Sequence, residues 1–202
     1  MTIALQLEHV GEPLVSQMLK TSKQARQTLL ARDLATAEEV CCELPLSEWN
    51  ARQFDGAHRI DVAILDRTQL KCEAVELKLG HARMTSGAFN IRFLSGTSSS
   101  HGNRRVKGSM VSILERLSTD SSNQPIEARS NGRRYIVQRN WTLVIRKRVF
   151  EKWQQATTPQ LSRSCRIVLF EDVVESYGGE KTFNKLVSEL IRGDYYQEWL
   201  CS

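Results

Sequence analysis

Three ionisable residues, Asp61, Glu76 and Lys78, fall on two short stretches whose side chains alternate in character. From His58 to Leu65, Ile60, Val62 and Ile64 share one parity, and Asp61, Ala63 and Leu65 share the other. From Leu70 to Leu79, Val75, Leu77 and Leu79 alternate with Cys72, Ala74, Glu76 and Lys78. A period of two is the pattern of a strand with two unlike faces. The polar run Asp66-Arg67-Thr68-Gln69 between them predicts an antiparallel hairpin. A two-residue turn at Thr68-Gln69 sets Asp61 opposite Glu76, with Lys78 on the same face. The turn lacks an Asn-Gly pair, so the register stays open by about one or two residues.

Two carboxylates a strand apart suit a hard divalent cation, Mg²⁺ or Mn²⁺, which takes oxygen ligands. The backbone carbonyl of Leu77, between the acid and the lysine, offers a further oxygen. A cation held there polarises a phosphate ester and acidifies water, while Lys78 orients that water or stabilises charge on the phosphate. Without the cation the acidic pair repels itself and Lys78 relieves part of the repulsion. The same three residues also make an ordinary cross-strand ion cluster, which is worth little when exposed.

The elements that must position this hairpin are legible in outline. Leu14 to Glu39 reads as helix, rich in Leu, Ala, Lys, Arg and Gln, with a break near Asp33 and a second helical start at Ala35. Cys41 to Leu46 reads as a short strand. Val106 to Leu117 reads as a helix, and Thr119 to Arg134 as a polar loop or hairpin. Tyr135 to Ile145 is strand-like, Arg148 to Gln155 a short helix, and Ser164 to Phe170 a buried strand around Ile167-Val168-Leu169-Phe170. A last helix follows Gly178-Gly179, from Glu180 to Ile191. This order predicts an α/β fold, a mixed central β-sheet flanked by helices.

The chain has 202 residues, 41% hydrophobic and 25% charged, enough for one domain with its own core. We therefore expect a single domain over residues 1–202. Five cysteines without a CxxC pair, and four scattered histidines, argue against a disulfide scaffold or structural zinc. Cys42 and Cys72 are expected as small core residues. No apolar run is long enough to span a membrane and no secretory signal opens the chain, so a cytoplasmic protein is expected.

The net charge of +5 is unevenly spread. Arg104 to Lys152 holds 12 Lys or Arg against 4 Asp or Glu, so a basic half lies at about 101–155. That imbalance implies a polyanionic partner, though a solvated face or an anionic membrane surface has the same charge signature.

Asp61 followed by Glu76-Leu77-Lys78 after a short hairpin resembles the PD-(D/E)xK nuclease superfamily, which includes many restriction endonucleases. Arg59-Ile60-Asp61-Val62-Ala63-Ile64 is similar to the strand that presents that family's first metal-binding Asp. Val75-Glu76-Leu77-Lys78 is similar to the strand that carries its second acid and lysine. The resemblance covers about residues 58–79, and Ile60 stands where the family often has proline. It implies a restriction-endonuclease-like core, a divalent metal held by Asp61, Glu76 and Leu77, and phosphodiester hydrolysis. Ala82 to Leu94 lacks a Gln-x-x-x-Tyr helix, which argues against the recombination-type exonuclease branches. Members often add an acid from a preceding helix. Glu39 is the expected contributor, with Glu38 and Glu43 as alternatives.

Together with the basic half, the resemblance implies endonucleolytic cleavage of double-stranded DNA in restriction, defence or mobile-element biology. Specific cleavage would draw on base-reading loops and a two-fold homodimer. Arg83, Arg92, Arg104, Arg105, Lys107, Arg133, Arg134 and Arg139 are the expected phosphate contacts, which position rather than cleave. Arg146, Lys147 and Arg148 form a further basic stretch. His81 is a less economical base than Lys78, and the four tryptophans form no stacking ladder. The alternative is a nuclease-like nucleic-acid-binding or assembly protein that has lost catalysis.

Overall fold

The computed structural model describes residues 3–48, 50, 58–79, 110–119, 125–156, 161 and 163–192. The expected hairpin is present as β2 (Arg59–Asp66) and β3 (Lys71–Lys78). Its register runs from Val62 opposite Val75 to Asp66 opposite Lys71, the register expected from the sequence. The Asp66 side chain holds the turn. Its Oδ1 accepts from the N–H groups of Thr68 and Gln69, each at 2.8 Å, and Leu70 completes the reversal with φ 53°. An Asp bonding the backbone two and three residues on does the work that Asn-Gly would otherwise do.

On one side of the hairpin, β1 (Glu38–Pro45) pairs antiparallel with β2. On the other, β3 pairs parallel with β5 (Arg133–Ile145). The far edge of β5 is shared by β4 (Glu127–Ser130), antiparallel to its first half, and β6 (Cys165–Leu169), parallel to its second. The β4–β5 turn is Asn131-Gly132, with φ 48° and 73°, the two left-handed residues of a tight hairpin. The sheet is thus mixed and open, in the order β1-β2-β3-β5-β4 with β6 also on β5. Because β3, β5 and β6 run parallel, their C-terminal ends lie together, beside the start of β2 and the end of β1.

Helices cover both faces. α1 (Ile3–Thr21), α2 (Lys23–Leu30), α5 (Phe170–Tyr177) and α6 (Gly179–Arg192) cover one. Leu14, Met18, Leu19, Leu29, Phe170 and Phe183 pack there on Val62, Ile64, Val75 and Val144. α3 (Met110–Thr119) and α4 (Lys147–Ala156) lie toward the other face, where Ile113, Leu114 and Val149 join Ala63, Leu65, Cys72, Ala74, Trp141 and Leu143. Among the described residues, no helix is long and apolar enough to cross a membrane.

Several sequence expectations are corrected. α1 begins well before Leu14 and continues through Pro13, which removes one helical N–H without ending the helix. The second helical start at Ala35 does not form. α2 stops at Leu30, Ala31 turns left-handed with φ 59°, and Glu38 and Glu39 open β1. Helix-favouring residues lose here to tertiary pairing. Arg32 bonds Glu38 at 2.7 and 2.8 Å and Glu73 of β3 at 2.7 Å, which pins the α2–β1 connection to the sheet. α5 was not anticipated. The strict alternation over 58–65 also fails, because Ile60 packs with Ala63 and Leu65 rather than with Val62 and Ile64.

Leu65 is fully buried between the sheet and α3, so Leu65→Ala should destabilise the protein by about 2–5 kcal/mol in urea unfolding. Gly132→Ala, where an added Cβ meets nothing but the backbone stays left-handed, should cost only about 1 kcal/mol.

Candidate metal centre

The face switch at Ile60 has a partner across the ladder. Cys42 pairs with Val62 on the α1 side, yet Leu44 and Ile60, the next like-parity pair, pack on the opposite side. Both strands therefore cross the sheet at Glu43 and Asp61, and Glu43 adopts a left-handed backbone with φ 50°. A non-glycine residue held there carries about 1–3 kcal/mol of strain, which neighbouring contacts must hold in place. The β2–β3 ladder likewise ends at Val62 and Val75. Beyond it the Leu77 N–H donates to Asp61 Oδ2 at 2.7 Å, and the Asp61 N–H donates to Glu76 Oε1 at 3.4 Å.

This opened strand end gathers acids from three elements. One carboxylate oxygen from each of Glu12 on α1, Glu43 on β1 and Asp61 on β2 lies within 4.8 Å of the others. Oxygens bound to one Mg²⁺ or Ca²⁺ at about 2.0–2.6 Å stand up to about 4–5 Å apart, so this triad has the span of one hard cation. Glu12 reaches the sheet because α1 comes close there. A Cβ on Gly11 would sit 3.1 Å from Leu79 Cδ1, tighter than ordinary contact, so the small residue permits the approach. The Glu12 carbonyl also accepts from the Cys42 thiol at 3.4 Å.

Glu76 lies behind the triad, 1% exposed, with Lys78 Nζ 3.6 Å from its Oε2. Burial is the main force raising the Glu76 carboxyl well above its ordinary range, and the neighbouring Asp61 charge adds to it. Lys78 pulls the other way. Burial also raises Asp61, opposed by Lys78 and by the Leu77 N–H. Glu12 and Glu43 are raised by burial first, then by the charge of Asp61. Arg59 lies 3.7 Å from Glu43 at the same end. The thiols nearby are poor nucleophiles, since burial pushes Cys42 up to about 11.

The structure brings Asp61, Glu76 and Lys78 together but gives other expected residues different places. Glu39 lies at the opposite end of β1, ion-paired with Arg67, and Glu38 binds Arg32. Glu43, four residues on, is the β1 acid that meets Asp61. Glu12 had no sequence signal beyond its sign. Leu77 meets Asp61 through its N–H. Arg133 and Arg134 sit at the start of β5, up to roughly 40 Å along the strand from its C-terminal end at about 3.3 Å per residue. Arg134 pairs with Glu127 at 3.5 Å, and Arg139 is exposed near mid-strand. Arg83, Arg92, Arg104, Arg105 and Lys107, with His81, lie outside the described residues. Compared with known family models, curated proteins and solved structures, the chain matches none. The fold and site therefore define a mixed α/β domain with an acidic triad able to hold a cation.

A pH dependence follows from the carboxyls. The folded protein binds their protons more tightly than the unfolded chain does, so their contribution is full below about pH 4 and is lost as pH rises through the raised values. Metal-free protein should melt progressively lower as pH rises above about 4, and Mn²⁺ should restore Tm on the high-pH side of that fall. Glu76→Gln should flatten the metal-free profile. Calorimetric melts across this range check both effects.

Proposed function

We propose that this chain is a metal-dependent phosphodiesterase of the PD-(D/E)xK kind, with a restriction-endonuclease-like core, that cleaves double-stranded DNA. The observation that carries the reading is the convergence of Glu12, Glu43 and Asp61 oxygens beside Lys78 at one opened strand end. Glu12, Glu43 and Asp61 would hold Mg²⁺ or Mn²⁺. When bound, the cation would polarise the phosphate and acidify water. Asp61 is oriented for that role by the Leu77 N–H. Lys78, about a third exposed, carries the positive charge that would orient water toward phosphorus and oppose charge building on the phosphate oxygens. Glu76, buried behind it, positions the ammonium.

Duplex DNA is the proposed substrate because the hairpin resembles that nuclease family and because the chain carries its excess charge in one basic half. Arg146, Lys147 and Arg148 follow the end of β5, whose Ile145 pairs with Lys78, so they lie nearer the carboxylates than Arg133 or Arg134. They are the phosphate-positioning residues this geometry favours.

Plasmid, linear duplex, single-stranded DNA and RNA incubated with Mg²⁺ or Mn²⁺ test the reading. Duplex should be cut, and Asp61→Asn, Glu43→Gln, Glu12→Gln and Lys78→Ala should each slow cleavage by about 10²-fold or more. Glu39→Gln should cut normally. A wild-type protein inert on every substrate, with no metal binding by titration calorimetry, would overturn the proposal.

A further inference from the structure

Away from the carboxylates, on the face covered by α2, lies a cleft of about 510 Å³. Its origin is a bulge. Cys72 pairs with Val137 and Ala74 with Trp141, so Gln138, Arg139 and Asn140 of β5 stand against Glu73 alone. Bulges bend a strand and re-aim side chains, and they recur beside binding sites. Here β5 bows out before β6 begins, and a gap opens between the end of α2 and residues 163–166. The apolar sheet face, represented by Val144, gives way to Thr142, Asn140 and Gln138 in its floor.

Three arginines line this cleft. Arg32 is held in its wall by Glu38 and Glu73. Arg166 is anchored by a bond from Nη2 to the Thr28 carbonyl at 2.9 Å, which leaves its other guanidinium donors free of any carboxylate among the described residues. Arg163 is exposed and has no carboxylate partner among them. The Asn140 amide and the Ser164 hydroxyl in the lining likewise carry no side-chain bond among these residues. The volume falls within the range of small-ligand sites, about 300–1,000 Å³.

From this juxtaposition we infer that the bulge cleft binds a nucleoside 5′-phosphate. Arg163 and Arg166 take the phosphate, and Asn140, Gln138 and Ser164 take the edge of the base. Guanidinium forks match phosphate oxygens, and amides with both donors and acceptors match bases, whereas bare phosphate would leave the amides without partners. No residue of the cleft belongs to the acidic triad, so the site stands whether or not the chain cleaves DNA.

Titration calorimetry with the four common ribonucleoside monophosphates, in EDTA so that the triad stays metal-free, tests this. At least one should bind saturably below millimolar concentration, at least about tenfold tighter than its nucleoside and than inorganic phosphate. Arg163→Gln and Asn140→Asp replace exposed side chains, so Tm should hold while affinity falls about tenfold or more in each. No saturable binding of any of the four, or affinity unchanged in both variants, overturns the inference. Inorganic phosphate binding as tightly as the nucleotides overturns it too, since the amides would then have no role.

Discussion

Where β2 and β3 would next exchange backbone bonds, the Leu77 N–H is taken by the Asp61 carboxylate at 2.7 Å. Much of the site depends on that substitution of a side chain for a ladder carbonyl. It ends the pairing at Val62 and Val75, and it fixes the orientation of the acid. On the other side of β2 the ladder also skips Asp61, and the left-handed Glu43 lets β1 cross the sheet in step with it. A regular three-stranded end would send acids of like parity to one face. The double crossing instead turns Glu43 and Asp61 toward the strand end, where Glu12 of α1 meets them.

This arrangement carries an electrostatic cost. Four carboxylates, Glu12, Glu43, Asp61 and Glu76, converge on Lys78 and a largely exposed Arg59. Burial raises all four carboxyls, so the fold favours their protonated forms. A structural salt bridge would balance its charges and shed excess acids, since unpaired buried charge is expensive. An excess of two acids is what a divalent cation would neutralise. Glu76 has the further effect of holding Lys78 near the acids, so one lysine serves both charge balance and, on the proposed reading, the phosphate.

How much of this was legible follows from which forces are local. The hairpin and its register could be read because alternation and turn composition act within about twenty residues. The same local logic failed at Ile60. A reversal of face set by backbone strain at Glu43 leaves no trace in side-chain periodicity. Glu12 could not be found because its approach depends on α1 persisting through Pro13 and on the small Gly11 beside Leu79. Glu39 is expected ahead of Glu43 because residues 14–39 read as helix, whereas both acids lie in β1. Their roles differ because Arg67 meets one and the strand crossing meets the other.

The bulge in β5 belongs to the same class of hidden feature. Tyr135 to Ile145 reads as one strand, and it is one, yet its two halves serve different neighbours. β4 holds the first half and β6 the second, while β3 pairs with both. A strand obliged to satisfy successive partners along one edge, while keeping register with a third along the other, can absorb the mismatch by adding residues between them. Gln138, Arg139 and Asn140 stand against Glu73 alone, a surplus of two residues. Their polarity is then intelligible, because side chains at a bulge are released from sheet packing and face water or a ligand. The sheet thus departs from regularity twice, at Glu43–Asp61 and opposite Glu73, and each departure opens a polar recess. The first is acidic and strained, and its oxygens could hold a cation. The second is lined by arginine and amide groups. The two recesses carry charge of opposite sign, and β3 and β5 connect them in one sheet.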